Sequence, residues 1–209
     1  MKKNEEVIAF LNKILPNAKC ELNYNKDYEL LIAVMLSAQT TDKRVNEATA
    51  KLFAHYKTLE ELSRADIEVI KNDIKSIGMV NVKSKNVIAI AKSLLDLYDG
   101  KVPQDKESLM SLPGVGNKTA NVVQAELFNI PQFAVDTHVF RVSWRLGYTV
   151  KSDTVEKVER VLKKQFEEKD YIKLHHQFIH FGRYYCKAIH PLCEQCELKH
   201  YCVLKNKSK

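Results

Sequence analysis

Apolar residues recur every three or four positions along most of the chain, and no stretch alternates as a half-buried strand does. Val7, Ile8, Phe10, Leu11, Ile14 and Leu15 form one helical stripe, which Pro16 closes. Residues 28–38 predict a mostly buried helix, with Asp27 as its N-cap. Residues 43–56 carry Val45, Ala48, Thr49, Leu52 and Phe53 on one face. Asn81 is expected to cap a helix through Val87, Ile88, Ala91, Leu94, Leu95 and Tyr98, and Gly100 to stop it. A short helix follows Pro103, over 105–111, and another runs from 116 to 128, ending before Pro131. Further helices are expected at 137–147, 153–168 and 170–185. No linker rich in Gly, Ser or Pro divides the chain, and no repeat is visible. The expected class is all-α.

Composition narrows the function. The chain has 209 residues, enough for a sizeable core or two small intertwined domains. No run of about 18 apolar residues occurs, so a membrane-spanning helix is not expected. The first residues lack a continuous apolar segment and a small-residue cleavage site, so no secretory signal is expected. The net charge is +7, with 27 lysines among 33 basic residues. Such a chain either neutralises phosphates or simply has solvated lysine faces. Five cysteines are present, and an odd count without a signal argues against a disulfide framework.

The string from Leu112 to Ala120, LPGVGNKTA, lies between two predicted helices. Pro113 ends the first helix, Gly114 and Gly116 permit positive φ and close backbone approach, and Val115 points inward. The next helix then starts with outward amides, a geometry that suits a phosphate oxygen. Lys118 falls in its first turn, facing the positive end of the helix dipole, where Asp or Glu is the ordinary choice. It reads equally as a nucleophilic amine or as a phosphate contact. Asp136 sits where an apolar run meets a new helix. It is both an N-cap and a carboxylate able to stabilise positive charge on a sugar or to move protons.

Four cysteines are spaced Cys186-x6-Cys193-x2-Cys196-x5-Cys202. Thiolates so close can surround one tetrahedral ion, such as zinc, or one cubane cluster. Arg183, Lys187, His190, Lys199, Lys205, Lys207 and Lys209 make the surrounding segment basic. Cys20 has no place in the pattern and reads as a buried or free thiol. His55, His175, His176 and His180 read as packing or surface residues, and a catalytic part for His138 is the lesser reading.

The 112–120 string, the segment Val135-Asp136-Thr137-His138-Val139 and the cysteine spacing together resemble the endonuclease III family of DNA glycosylase/AP lyases. The resemblance covers nearly the whole chain, from about Glu29 to Cys202. It implies a two-domain helix-hairpin-helix DNA glycosylase fold with an iron–sulfur cluster loop. One domain is expected over 20–130, and a second combines 1–19 with 131–209. The substrate groove is expected between them, with Lys118 and Asp136 on opposite walls. The resemblance makes Lys118 the Schiff-base nucleophile and Asp136 the catalytic carboxylate. Cys186, Cys193, Cys196 and Cys202 become ligands of a [4Fe–4S] cluster. It implies DNA contacts from Gly114, Gly116, Asn117 and Thr119. Gln39 and Met79 fill the stack left by a flipped base, Met79 standing where leucine is usual; a buried helix-end contact is the other reading of Met79. The implied substrate is double-stranded DNA carrying oxidised pyrimidines or abasic sites. The implied protein is a monomer, not membrane-bound, in the bacterial cytoplasm at the nucleoid. The alternatives are a mismatch-specific glycosylase and a non-catalytic DNA-binding iron–sulfur protein. The lysine weighs against the first of these, and the Lys118–Asp136 combination would go unexplained in the second.

Overall fold

The computed structural model describes residues 2–206. Among them there is helix and turn but no strand. The chain forms two compact units, Glu21–Phe128 and the combination of Met1–Cys20 with Asn129–Lys209.

The first, the hairpin unit, is built around α2 (Asp27–Leu36), whose residues from Tyr28 to Leu36 are all buried. Asp27 is not its N-cap. Lys26 holds that position with an extended backbone and no side-chain cap bond. The carboxylate of Glu29 instead reaches back to accept from the amide of Asn25 at 2.7 Å, which satisfies the helix entry from inside the first turn. α3 (Asp42–His55) is capped by Thr41 and buries Val45, Ala48, Thr49 and Leu52. α4 (Leu59–Ser63) and α5 (Ile67–Asp73) follow, the first opened by a capping box of Thr58 and Glu61, the second by Asp66. α6 (Val80–Tyr98) is the long helix of this unit. Asn81 lies inside it, and the cap is Met79 in a left-handed conformation with no side-chain bond. The Gly100 amide closes the far end on Leu94 O at 2.8 Å. α7 (Lys106–Ser111) is capped by Asp105, which accepts from Ser108 N at 2.8 Å, and α8 (Asn117–Phe128) completes the unit.

The second, the cluster unit, contains α1 (Lys2–Ile14), α9 (Thr137–Arg145), α10 (Val155–Gln165) and α11 (Tyr171–His180). α11 continues as a wider π-turn over Phe181–Tyr185, and short 3₁₀ turns lead to α12 (Val203–Asn206). Phe133 is the centre of its core. Its ring meets Phe178 edge-on at 5.6 Å, Tyr171 at 6.1 Å and Phe166 at 6.2 Å. Burial of each such side chain stabilises the unit by roughly 1.5–3 kcal/mol. Phe10 of α1 packs on Phe181 at 5.9 Å, which ties the N-terminal helix to the π-turn. α9 crosses the π-turn closely: a Cβ on Gly182 would stand 2.8 Å from His138 Cβ, so glycine is required there.

Candidate functional site

The hairpin joins α7 to α8. Leu112 and Val115 are buried and anchor it, and the Val115 amide closes the turn on Leu112 O at 3.1 Å. Gly114 has φ +77°, and a Cβ there would collide with Asn86 Nδ2 and approach Met35 Cγ to 3.3 Å. Any other residue is therefore both strained and crowded. Gly116 does not use the positive φ that glycine permits, and a Cβ on it meets nothing within 4 Å. What it contributes is a bare backbone next to open space. α8 begins with Asn117, Lys118 and Thr119, ahead of the first intrahelical bond from Ala120 N to Gly116 O at 3.0 Å. Lys118 is exposed, whereas Asn117 and Thr119 are half-buried. The helix start offers its positive end, together with an exposed cation, to an anion.

Gln39 and Met79 are both exposed and both left-handed, with φ 57° and 61°. Met79 is 52% exposed, which excludes the buried helix-end reading. Lys83, by contrast, is 2% exposed, and its ammonium donates to Ala38 O at 2.8 Å.

In the cluster unit, Asp136 caps α9, with Oδ1 accepting from the amides of His138 and Val139, both at 2.8 Å. One carboxylate oxygen carries both cap bonds. Arg141 Nη2 lies 3.1 Å from His138 Nδ1 and donates to Gly182 O at 2.7 Å. Burial pushes the His138 imidazole below its ordinary value; the Asp136 charge pulls the other way, and the Arg141 and Arg183 charges add smaller downward pushes. Of the other histidines, buried His175 has Nδ1 2.8 Å from Ala134 O, and exposed His55 pairs with buried Asp73 at 2.8 Å.

All four cysteines of the tail are half-buried, none is in a disulfide, and they line one pocket with Leu146, Phe181 and Lys199. Among the described residues no three of His, Cys, Asp or Glu are gathered as ligands of a single ion. What the fold offers is a four-thiol pocket. Arg145, 7% exposed, clasps its first ligand: it donates to Lys187 O at 2.6 Å, to Cys186 O at 3.2 Å and to Cys186 Sγ at 3.4 Å. Burial pushes the Cys186 and Cys196 thiols up, so their ionised, ligating form needs a positive partner in the pocket. Four soft donors beside a fixed guanidinium fit an iron–sulfur cluster. Lys207 and Lys209 of the expected basic segment lie outside the described residues. Cys20 is half-buried and does not line the pocket.

Sequence reading missed Arg141, Arg145, Gly182 and Lys83. For the arginines a signal existed: a chain with only six arginines places two of them four residues apart, on the helix that Asp136 opens. For Lys83 there was none, because a lysine on a helix reads as solvated.

Comparison with known proteins agrees with this geometry. Residues 32–168 match the model of the HhH-GPD superfamily of base excision DNA repair proteins. Residues 186–202 match the iron–sulfur binding domain of endonuclease III. Endonuclease III of Bacillus subtilis (strain 168) is 44% identical over 202 residues, covering 97% of this chain and 92% of the relative. The solved structure of a non-covalent endonuclease III–DNA complex superposes with a TM-score of 0.94 at 44% identity, covering 99% of this chain and 96% of that one. A trapped covalent endonuclease III–DNA intermediate gives a TM-score of 0.93 at 44% identity, with 99% and 98% covered. Hairpin, capped aspartate and four-thiol pocket therefore stand in the context of an established DNA repair fold, and the chain belongs to the endonuclease III family.

Proposed function

We propose that this protein removes oxidised pyrimidines from duplex DNA and cleaves the abasic site by β-elimination, with Lys118 as nucleophile and Asp136 as the assisting carboxylate. It is a bifunctional base-excision repair enzyme, a DNA glycosylase and abasic-site lyase. The observation that carries the residue assignment is an exposed lysine in the first turn of α8, immediately after the hairpin. A relative with 44% identity has been caught covalently joined to DNA, and that chemistry needs an accessible amine.

The hairpin backbone and the start of α8 hold a phosphate, which fixes register without reading sequence. The target nucleotide leaves the stack, which exposes C1′ of its sugar. The Lys118 amine bonds to C1′ as the C1′–N bond breaks and the departing base takes up a proton. Asp136, one oxygen of which is occupied by the α9 cap, offers its negative charge to the cationic sugar. Loss of the amine proton and ring opening leave an iminium between Lys118 and C1′. The iminium acidifies C2′, and loss of that proton drives electrons toward C3′ and expels the 3′ phosphate. Water then hydrolyses the imine and frees Lys118.

The four cysteines are proposed to hold a [4Fe–4S] cluster, whose bonds cross-link residues 186–202. Lys187 and Lys199 on this loop are placed to meet phosphate. We further propose that the protein acts as a monomer in the bacterial cytoplasm, at the nucleoid. The test is a duplex carrying one oxidised pyrimidine. Free modified base and a strand ending in a 3′ unsaturated aldehyde are expected. Base release without a nick would indicate a monofunctional glycosylase, and neither product would indicate a binding protein.

A further inference from the structure

In the hairpin unit, three exposed residues hold a left-handed backbone without being glycine: Asp99 (φ 51°), which merely closes the C-terminal end of α6, and the pair Gln39 (φ 57°) and Met79 (φ 61°). Strained conformations of this kind persist only where surrounding structure enforces them, and they gather at functional sites. Neither side chain belongs to the core, so core packing does not explain them. Lys83 joins the two loops through its helix: its ammonium donates to Ala38 O at 2.8 Å, the carbonyl preceding Gln39, while its backbone amide makes the first-turn bond of α6 to the capping Met79 O at 3.0 Å. A lysine that is only 2% exposed is costly to bury, and that burial lowers its pKa. A residue serving only to fill space there would be apolar. One turn later on the same helix face, Asn86 abuts Gly114 of the hairpin. The start of α6 thus carries the register of three loops.

We propose that Lys83 is a positioning residue that locks Gln39 and Met79 into one preset pair, so that both side chains enter the duplex together when a nucleotide is flipped out. This rests on the reading that Gln39 and Met79 fill the vacated stack. Without the ammonium, the Ala38 carbonyl loses its tether and Gln39 relaxes out of the left-handed region. The flipped state then lacks a ready filler, while the chemistry at C1′ is untouched.

The test compares single-turnover base removal on two duplexes: one with the lesion fully paired, one with the opposite nucleotide missing, where less stacking has to be replaced. Lys83→Met keeps the length of the side chain and removes the charge. It should slow the paired substrate by about tenfold or more, as misplacement of working groups does, and slow the gapped substrate far less. Added to a Gln39→Ala, Met79→Ala background, it should cost little more, because its partners are already gone. Where Lys83→Met does not fold, Lys83→Gln, which keeps a donor, carries the test and should fall between wild type and Gln39→Ala, Met79→Ala. If Gln39→Ala, Met79→Ala leaves both substrates at wild-type rate, the filler reading itself fails. If that double variant is slow on paired DNA but the Lys83 variant is not, the proposal is overturned. Equal slowing of both substrates, or full additivity, also overturns it by showing a merely structural role.

Discussion

The hairpin at 112–119 and the cysteine loop at 186–202 both face phosphate in our account, yet they are built by opposite means. The hairpin rests on packing. Leu112 and Val115 are buried beneath it, Gly114 is fitted against Asn86 and Met35, and two helices flank it. The cysteine loop has almost no core of its own. Leu198 is the only fully buried residue from Cys186 to Cys202, and the regular structure there is two 3₁₀ turns. Its order comes from the Arg145 clasp and from whatever joins the four thiols. A packed turn is preformed in the apo protein. A loop with so little core depends on its clasp and its cross-link.

The largest expected effect follows from this. Cys196→Ser should deplete iron from about four atoms per chain and raise amide exchange across 186–202, while α8 stays protected. Loss of protection in both regions would show that the hairpin also leans on the cluster. Next, Asp136→Asn keeps the shape of the α9 cap but removes its charge. It should slow base removal by about 10²-fold, with a smaller loss on preformed abasic sites, as measured by single-turnover kinetics. A similar loss on both substrates would put Asp136 in the lyase step.

Gly114→Ala should destabilise by about 1–3 kcal/mol, from its φ and its collision with Asn86. It should also weaken binding to damaged and undamaged duplex alike, read by thermal unfolding and fluorescence anisotropy. Gly116→Ala, with open space and ordinary φ, should change stability by less than about 0.5 kcal/mol and still weaken binding, because its methyl faces the incoming backbone. Equal destabilisation by both changes would mean that both glycines serve the fold alone. Smallest of all, Cys20→Ser should leave the iron content unchanged.

Long helices with a continuous apolar stripe were legible in the sequence: α1, α3, α6 and α8 fall where the periodicity puts them. α4 and α5 were not, because five and seven residues make fewer than two turns and show no repeat. Caps were misplaced where an unusual device won, Glu29 reaching back in α2 and left-handed Met79 opening α6. The hairpin and the cysteines announced themselves because each motif is contiguous. Arg145, Gly182 and Lys83 did not, because the groups they touch lie more than 40 residues away in sequence. Spacing also left the metal open, since four thiolates in 17 residues suit zinc as well as iron.

The central claim is that the Lys118 amine forms the bond to DNA. Borohydride reduces an iminium to a stable amine, so wild-type protein mixed with a lesion duplex should become covalently attached to it. Lys118→Gln should give no adduct and no nick while still binding the duplex, because phosphate contacts supply much of the affinity. If Lys118→Gln traps and nicks as well as wild type, another amine is the nucleophile and the assignment is wrong.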